Sequence, residues 1–229
     1  MKKIAVLIPC YNEEMTVQKV ASDFKKELRT CKIYVYDNNS TDNSAVLAKK
    51  AGAIVRPEPK LGKGNVVRSM FRDIDADCYL MVDADDTYSP KHAKKMIDLV
   101  LNGKCDMVVG DRLSGNYYKE NNRKLHNFGN KLISNLVKRC FKSKVHDVLS
   151  GYRAFSRDFV KNFPAESNGF EVETEMTIFA INKKYKIKEI PVKYKNRPAG
   201  SKSKLKTFKD GIKVLYKIHT LSRENKRRR

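Results

Sequence analysis

A chain of 229 residues, 41% of them hydrophobic, can close a core without disulfide or metal staples, as one α/β domain of ordinary size or as two small ones. Its 48 Lys and Arg against 26 Asp and Glu give a net charge of +22, and a surface that basic asks for a polyanionic partner: nucleic acid, anionic lipid or a phosphorylated substrate. The odd set of Cys10, Cys31, Cys78, Cys105 and Cys140 is widely scattered, which argues for free thiols in a reducing, cytosolic compartment and against a disulfide framework or a zinc site.

The N-terminal MKKIAVLIPCYNEE turns acidic too soon for a signal peptide, and no apolar run is long enough to span a membrane. Residues 4–8 are a continuous apolar run, as expected of a strand buried on both faces of a parallel sheet, ending at Pro9. Residues 16–28 have helical spacing through Val17, Val20, Phe24 and Leu28. A second strand over 33–36 closes on Asp37 and a stretch rich in capping residues, followed by a helix over 44–51 and a short strand over 53–55. A helix opens at Gly62-Lys63-Gly64-Asn65 and runs through Phe71, and the next strand covers 79–82. A helix over 90–101 and a strand over 107–110 ending at Asp111-Arg112 complete the first half. Strands alternating with helices predict a mainly parallel, Rossmann-like sheet flanked by helices, whose ligands sit beyond the carboxyl ends of the strands. Pro9, Tyr11 and Glu13, then Asp37, then Asp83 and Asp85, then Arg112 all fall at such ends.

The sharpest of these clusters is YLMVDADDTY, residues 79–88, where a buried strand stops at three carboxylates. Aspartate is a poor strand residue, so the cluster needs a reason. Asp83 and Asp85, two apart, can turn toward one hard divalent cation holding a substrate's phosphates. The same residues also fit a polar turn in which Asp86 caps the helix beginning near Pro90.

Seven segments in order, IPCYNEE, VYDNNSTD, GKGNVVRSM, VDADDTY, GDR, DVLSGYRAF and NRPAGSKSKL, resemble the nucleotide-sugar domain of family 2 glycosyltransferases. More narrowly they resemble the polyprenyl- and dolichyl-phosphate sugar synthases of the dolichyl-phosphate mannose synthase type, over nearly the whole chain. The resemblance implies a GT-A fold in a single domain, with a nucleotide-sugar half (1–112), an acceptor half (113–204) and a basic helix and tail (205–229). It implies inverting transfer from a nucleoside diphosphate sugar to a lipid phosphate, with Mg²⁺ or Mn²⁺ on Asp85 and Asp83 neutralising the departing diphosphate. Pro9, Tyr11, Glu13 and Asp37 match positions for base and ribose, and Ala84 lies within the metal motif. Lys63 is placed to approach phosphate or sugar, and Arg112, Arg197 and Lys204 match residues facing the phosphates. Thr87 stands where the mannose synthases carry a glutamine metal ligand, and Asn38-Asn39 replace their aspartate and glycine. A UDP-sugar is therefore preferred, with GDP-mannose left open.

In the second half a helix from about 123 to 141 carries Leu125, Phe128, Leu132, Ile133, Leu136 and Val137 at helical spacing, equally suited to core or lipid. Arg123, Arg153 and Ser150 are candidates for the acceptor phosphate on the resemblance. Glu171, Glu173 and Glu175 alternate along an extended-looking stretch that could bring a carboxylate to the donor, or a base if the acceptor is a hydroxyl. From Lys202 the chain is strongly basic. Leu205, Phe208, Ile212, Leu215, Ile218 and His219 form one side of a helix, with Lys206, Lys209, Lys213, Lys217 and Arg223 elsewhere. Such a helix suits the anionic cytoplasmic face of a membrane, bound peripherally or through a separate membrane protein. A nucleic-acid-binding protein is the rival reading from charge alone, but no reading helix or aromatic-studded sheet is evident and it leaves the aspartates unexplained. A nucleotidyltransferase would also use paired aspartates, releasing pyrophosphate instead of a nucleoside diphosphate.

Overall fold

The computed structural model describes residues 2–114, 124–205 and 207–227. Arg123 and Lys206, both singled out above, lie outside them. Strands β1 (Ile4–Cys10), β2 (Lys32–Asp37), β3 (Ile54–Pro57), β4 (Cys78–Met81), β5 (Met107–Asp111), β6 (Arg153–Ser156) and β7 (Ile187–Pro191) form one sheet in the order β3-β2-β1-β4-β6-β5-β7. All neighbours run parallel except β6, which is antiparallel to both β4 and β5. β1 lies between β2 and β4, so the chain crosses from one side of β1 to the other, and the gap at their carboxyl ends is where such sheets bind ligands.

The apolar run of β1 is continuous because both faces of the sheet are covered. Val6, Ile8 and Cys10 point to one side, against α1 (Val17–Glu27) and α4 (Ala93–Leu101). Ala5 and Leu7 point to the other, against α3 (Lys63–Asp73), α6 (Arg157–Asn162) and α7 (Val172–Asn182). The wholly buried Val6, Leu7 and Ile8 side chains each contribute about 1.5–3 kcal/mol. On the outer side of β2, α2 (Ser44–Lys50) completes the layer beside α1. A third cluster joins Ile133, Val137 and Phe141 of α5 (Lys124–Phe141) to Val214 and Ile218 of α8 (Thr207–Arg227), with Ile178 of α7 between them. No helix among the described residues is long and apolar enough to cross a membrane.

The structure corrects three local expectations. Residues 172–182 are helical, not extended: Glu173, Thr174, Glu175 and Met176 are all buried, so α7 has no polar face and its alternating glutamates imitate a strand. The α8 stripe is divided, with Val214 and Ile218 facing the core while Phe208, Ile212, Leu215 and Tyr216 are exposed. Leu205 precedes that helix. Asp86 does not cap the helix near Pro90, since Ser89 accepts from Lys91 N there; Asp86 instead takes Lys19 and Lys195.

Candidate active site

The carboxyl ends of β1, β2, β4 and β5 open into a cleft of about 780 Å³. Pro9, Tyr11, Glu13, Lys63, Asp83, Ala84, Asp85, Arg112, Arg197 and Lys204 all line it, so ten residues expected at a donor site converge there. Asp37 ends β2 beside the cleft and the lining residue is its neighbour Asn38. Asp37 Oδ1 is nevertheless buried without a partner among the described residues, an acceptor still to be satisfied.

Lys63 occupies the first turn of α3 because the glycines beside it allow a close backbone approach. Gly62 has φ +124° and a side chain there would strike the carbonyl of Asn168; one at Gly64 would strike Ser167. Gly64 N instead donates to Asn168 O at 3.0 Å. Lys63 Nζ then lies between Asp83 Oδ1 and Glu173 Oε1, 2.6 Å from the latter. Burial alone would lower the Lys63 ammonium, but Asp83 and Glu173 outweigh it and raise its pKa. Burial would likewise raise Asp83, but Lys63, with Arg112 and Arg197, holds it below the usual carboxylate value. Asp85 goes the other way, raised by burial and by the neighbouring Asp83 charge. Gly151 sits against the Asp83 carboxylate, where any side chain would collide with it.

Asp85 has a donor on each oxygen. Oδ1 accepts the Thr87 hydroxyl at 2.6 Å and Oδ2 pairs with Arg197 Nη2 at 2.8 Å. Arg197 Nη1 reaches on to Glu13 Oε1 at 2.8 Å, and the Glu13 carboxyl, raised by burial, is partly relieved by that contact. Thr87 is wholly buried and absent from the cleft lining, so its hydroxyl orients Asp85 and does not stand free as a metal ligand. Arg112 is held by Asp147 in a two-pronged pair of 2.7 and 2.8 Å and lies over the Tyr194 ring, 5.2 Å from its centroid.

Two of the three acceptor-phosphate residues, Arg153 and Ser150, are corrected; the third, Arg123, lies outside the described residues. Arg153 is wholly buried in β6 and donates to Ser150 O, Val148 O and Thr177 Oγ1, with burial lowering its pKa to about 10. Ser150 is equally buried, its hydroxyl 3.4 Å from that of Tyr88. Neither reaches the cleft. Two residues with roles here, Asn38 and Asp147, were not assigned them from sequence, and of the three glutamates expected to offer a carboxylate to the donor it is Glu173 that lines the cleft. Asn38 donates to Glu58 O and Lys60 O and accepts from Gly62 N, bracing the loop before α3. Glu173 and Asp147 neutralise Lys63 and Arg112, and for Asp147 its place in the DVLSGYR segment was a signal. A separate group, Asp111, His146 and Glu189, brings ligand-type atoms within 4.8 Å of one another, but Glu189 is already accepting from the backbone of His146 and Asp147.

Beyond Leu113 the cleft wall turns apolar through Leu132, Ile133, Leu149, Phe208, Ile212 and Leu215. The sheet order, the strand-end carboxylates and the loop 194–205 laid across them are those of a GT-A fold. The same fold is found in glucosyl-3-phosphoglycerate synthase of Mycobacterium tuberculosis, solved in complex with Mn²⁺, UDP and phosphoglyceric acid, with a TM-score of 0.75. That match covers 96% of this chain and 78% of the other at 20% identity, which shows the fold alone. The chain belongs to glycosyl transferase family 2, whose sequence profile matches residues 5–163, and it is a glycosyltransferase. It is 34% identical over 223 residues to glycosyltransferase AglJ of Haloferax volcanii, covering 97% of this chain and 73% of that one. It is 28% identical over 212 residues to a dolichyl-phosphate hexose transferase of the same organism, covering 92% and 90%. The resemblance to the polyprenyl-phosphate sugar synthase type stands.

Proposed function

We propose that the protein transfers a hexosyl group from a nucleoside diphosphate sugar to a polyprenyl or dolichyl phosphate, with inversion, at the cytoplasmic face of a membrane. The observation that carries this reading is the continuity of the cleft, charged at the strand ends and apolar along α5 and α8. A lipid phosphate has both characters, and the named hexose transferase among the relatives supports it. Residues 1–112 then serve the donor, 113–204 the acceptor and 205–229 the surface.

In this reading Pro9, Tyr11 and Asn38 border the base and ribose, and Asp37 Oδ1 accepts a ribose hydroxyl. Lys63, Arg112, Arg197 and Lys204 supply positive charge beside the diphosphate and the incoming phosphate. An oxygen of the lipid phosphate attacks the anomeric carbon, that carbon's bond to the donor's phosphate oxygen breaks, and the electron pair leaves with the nucleoside diphosphate. A phosphate monoester is ionised at neutral pH, so no side chain must take a proton. Asp83 and Asp85 suit Mg²⁺ or Mn²⁺, and Arg197 already seats a positive charge on Asp85; such a cation supplies Lewis-acid neutralisation of the leaving diphosphate. Exposed Lys209 and Lys213 flank Phe208 and Ile212, placing charge for anionic headgroups beside apolar side chains, each lysine near the surface contributing about 1 kcal/mol.

The test is incubation of labelled UDP-hexoses and GDP-mannose with polyprenyl phosphate in anionic vesicles, with Mg²⁺ or Mn²⁺. Label entering the organic phase with release of UDP is expected; release of GDP instead would reassign the donor. Label moving only to hydroxyl acceptors would overturn the lipid-phosphate reading. A thermal-shift series with UDP and GDP reads the nucleotide independently, since a ligand at a hundred times its dissociation constant stabilises by about 2.7 kcal/mol.

A further inference from the structure

Arg197 stands on a segment, 192–206, that belongs to neither a strand nor a helix among its described residues, yet the segment is fastened over the aspartate motif at successive points. Tyr194 forms an isolated bridge with Tyr88, Lys195 N donates to Thr87 O at 2.9 Å, and Lys195 Nζ pairs with Asp86 at 2.7 Å. Arg197 then spans from Asp85 Oδ2 at 2.8 Å to Glu13 Oε1 at 2.8 Å. With Thr87 on Oδ1, both Asp85 oxygens already have a donor. A guanidinium does not deprotonate in a protein, so this contact is relieved only by an exchange of partners.

We propose that Arg197 is a built-in competitor for the divalent cation. In the donor-free protein its guanidinium covers Asp85 and keeps the cation out. A nucleoside diphosphate gives the arginine a new anionic partner, so nucleotide and cation enter together. The inference rests on the donor reading above and concerns the order in which that site fills. Arg112 makes the contrast: its carboxylate partner, Asp147, is wholly buried and does not line the cleft, so that pair has no second role of this kind.

The experiment is titration of the full chain with Mn²⁺ in the absence of nucleotide, reading free Mn²⁺ by electron paramagnetic resonance. The parent should bind weakly, and R197A should bind about tenfold more tightly, which corresponds to about 1.4 kcal/mol. Saturating UDP or GDP should close that gap, and D85N combined with R197A should lose the gain. Glu13→Gln keeps the arginine while loosening one anchor, and should give a smaller gain if R197A proves poorly folded. Equal Mn²⁺ affinity of parent and R197A without nucleotide overturns the inference, whether or not transfer to a lipid phosphate is found. Absence of that transfer in the parent overturns the functional reading instead.

Discussion

At the strand-end side of the cleft, Lys63, Asp83, Asp85, Arg112 and Arg197 are each matched to an opposite charge from another element, and hydrogen bonds behind them fix their directions. Along α8 on the other side, Phe208 and Ile212 are 87% and 60% exposed. The first region is held in place by the protein's own paired charges. The second leaves apolar surface that the described residues do not cover. In the proposed reading, charges at the reacting centre must stand where charge will develop, whereas a chain of isoprene units needs only contiguous apolar surface.

That contrast can be broken most forcefully at Asp85. Asp85→Asn should reduce transfer by about 10²–10³-fold while leaving the thermal midpoint close to that of the parent, because it opens no cavity. Near-parental turnover with Mn²⁺ or Mg²⁺ would remove Asp85 from the site. The opposite signature belongs to Arg153, which supports the charged side from within. Arg153→Ala should cost about 3–5 kcal/mol of stability, as buried acceptors lose their donor. A soluble, parentally stable R153A with weakened acceptor binding would return Arg153 to the phosphate.

The apolar side should respond in neither way. Phe208→Ser with Ile212→Ser removes exposed surface, so stability should stay within about 0.5 kcal/mol. The KM for a long-chain polyprenyl phosphate should rise about tenfold, with nucleotide binding unchanged. An equal loss on a short, water-soluble acceptor would show the two sides to be one functional unit. The smallest effect is expected of Lys209→Glu with Lys213→Glu: weaker sedimentation with anionic vesicles by about 1 kcal/mol per lysine, fading as salt is raised. Lys217 is unsuited to that experiment, since it is largely buried and its ammonium reaches Glu166 at 3.2 Å and Glu175 at 3.3 Å, whereas Lys213 is half exposed and lies 3.8 Å from Asp210.

β1, β2, β4 and β5 were legible because strands covered on both faces spell continuous apolar runs, and their polar ends announced the site. β6 begins with a buried arginine and β7 carries Lys188 and Glu189 side by side between its isoleucines, so neither strand spells an apolar run. α7 carries buried glutamates, so its pattern reflects partners across the fold and not its own periodicity. Glu173 is the instructive case, because nothing in its local sequence says that Lys63, more than a hundred positions earlier, will lie against it. The division of the α8 stripe was equally hidden, since helical spacing reports that a face is apolar and not what covers it.

The reversed direction of β6 has a consequence for how the chain can be divided. Because β6 runs against its neighbours, the segment entering it, 147–152, arrives at the same edge as the carboxyl ends of β4 and β5. There it delivers Asp147 to Arg112 and Gly151 to Asp83. A parallel strand in that place would have brought its leading segment to the far edge. The cleft is therefore closed by residues some forty positions beyond β5, and β5 lies between β6 and β7 in the sheet. A fragment ending at Arg112 would lack both the counter-ion of that arginine and the strand that joins β5 to the rest. Residues 1–112 thus share the cleft with later segments of the chain, and the cleft is complete only once contacts distant in sequence have closed.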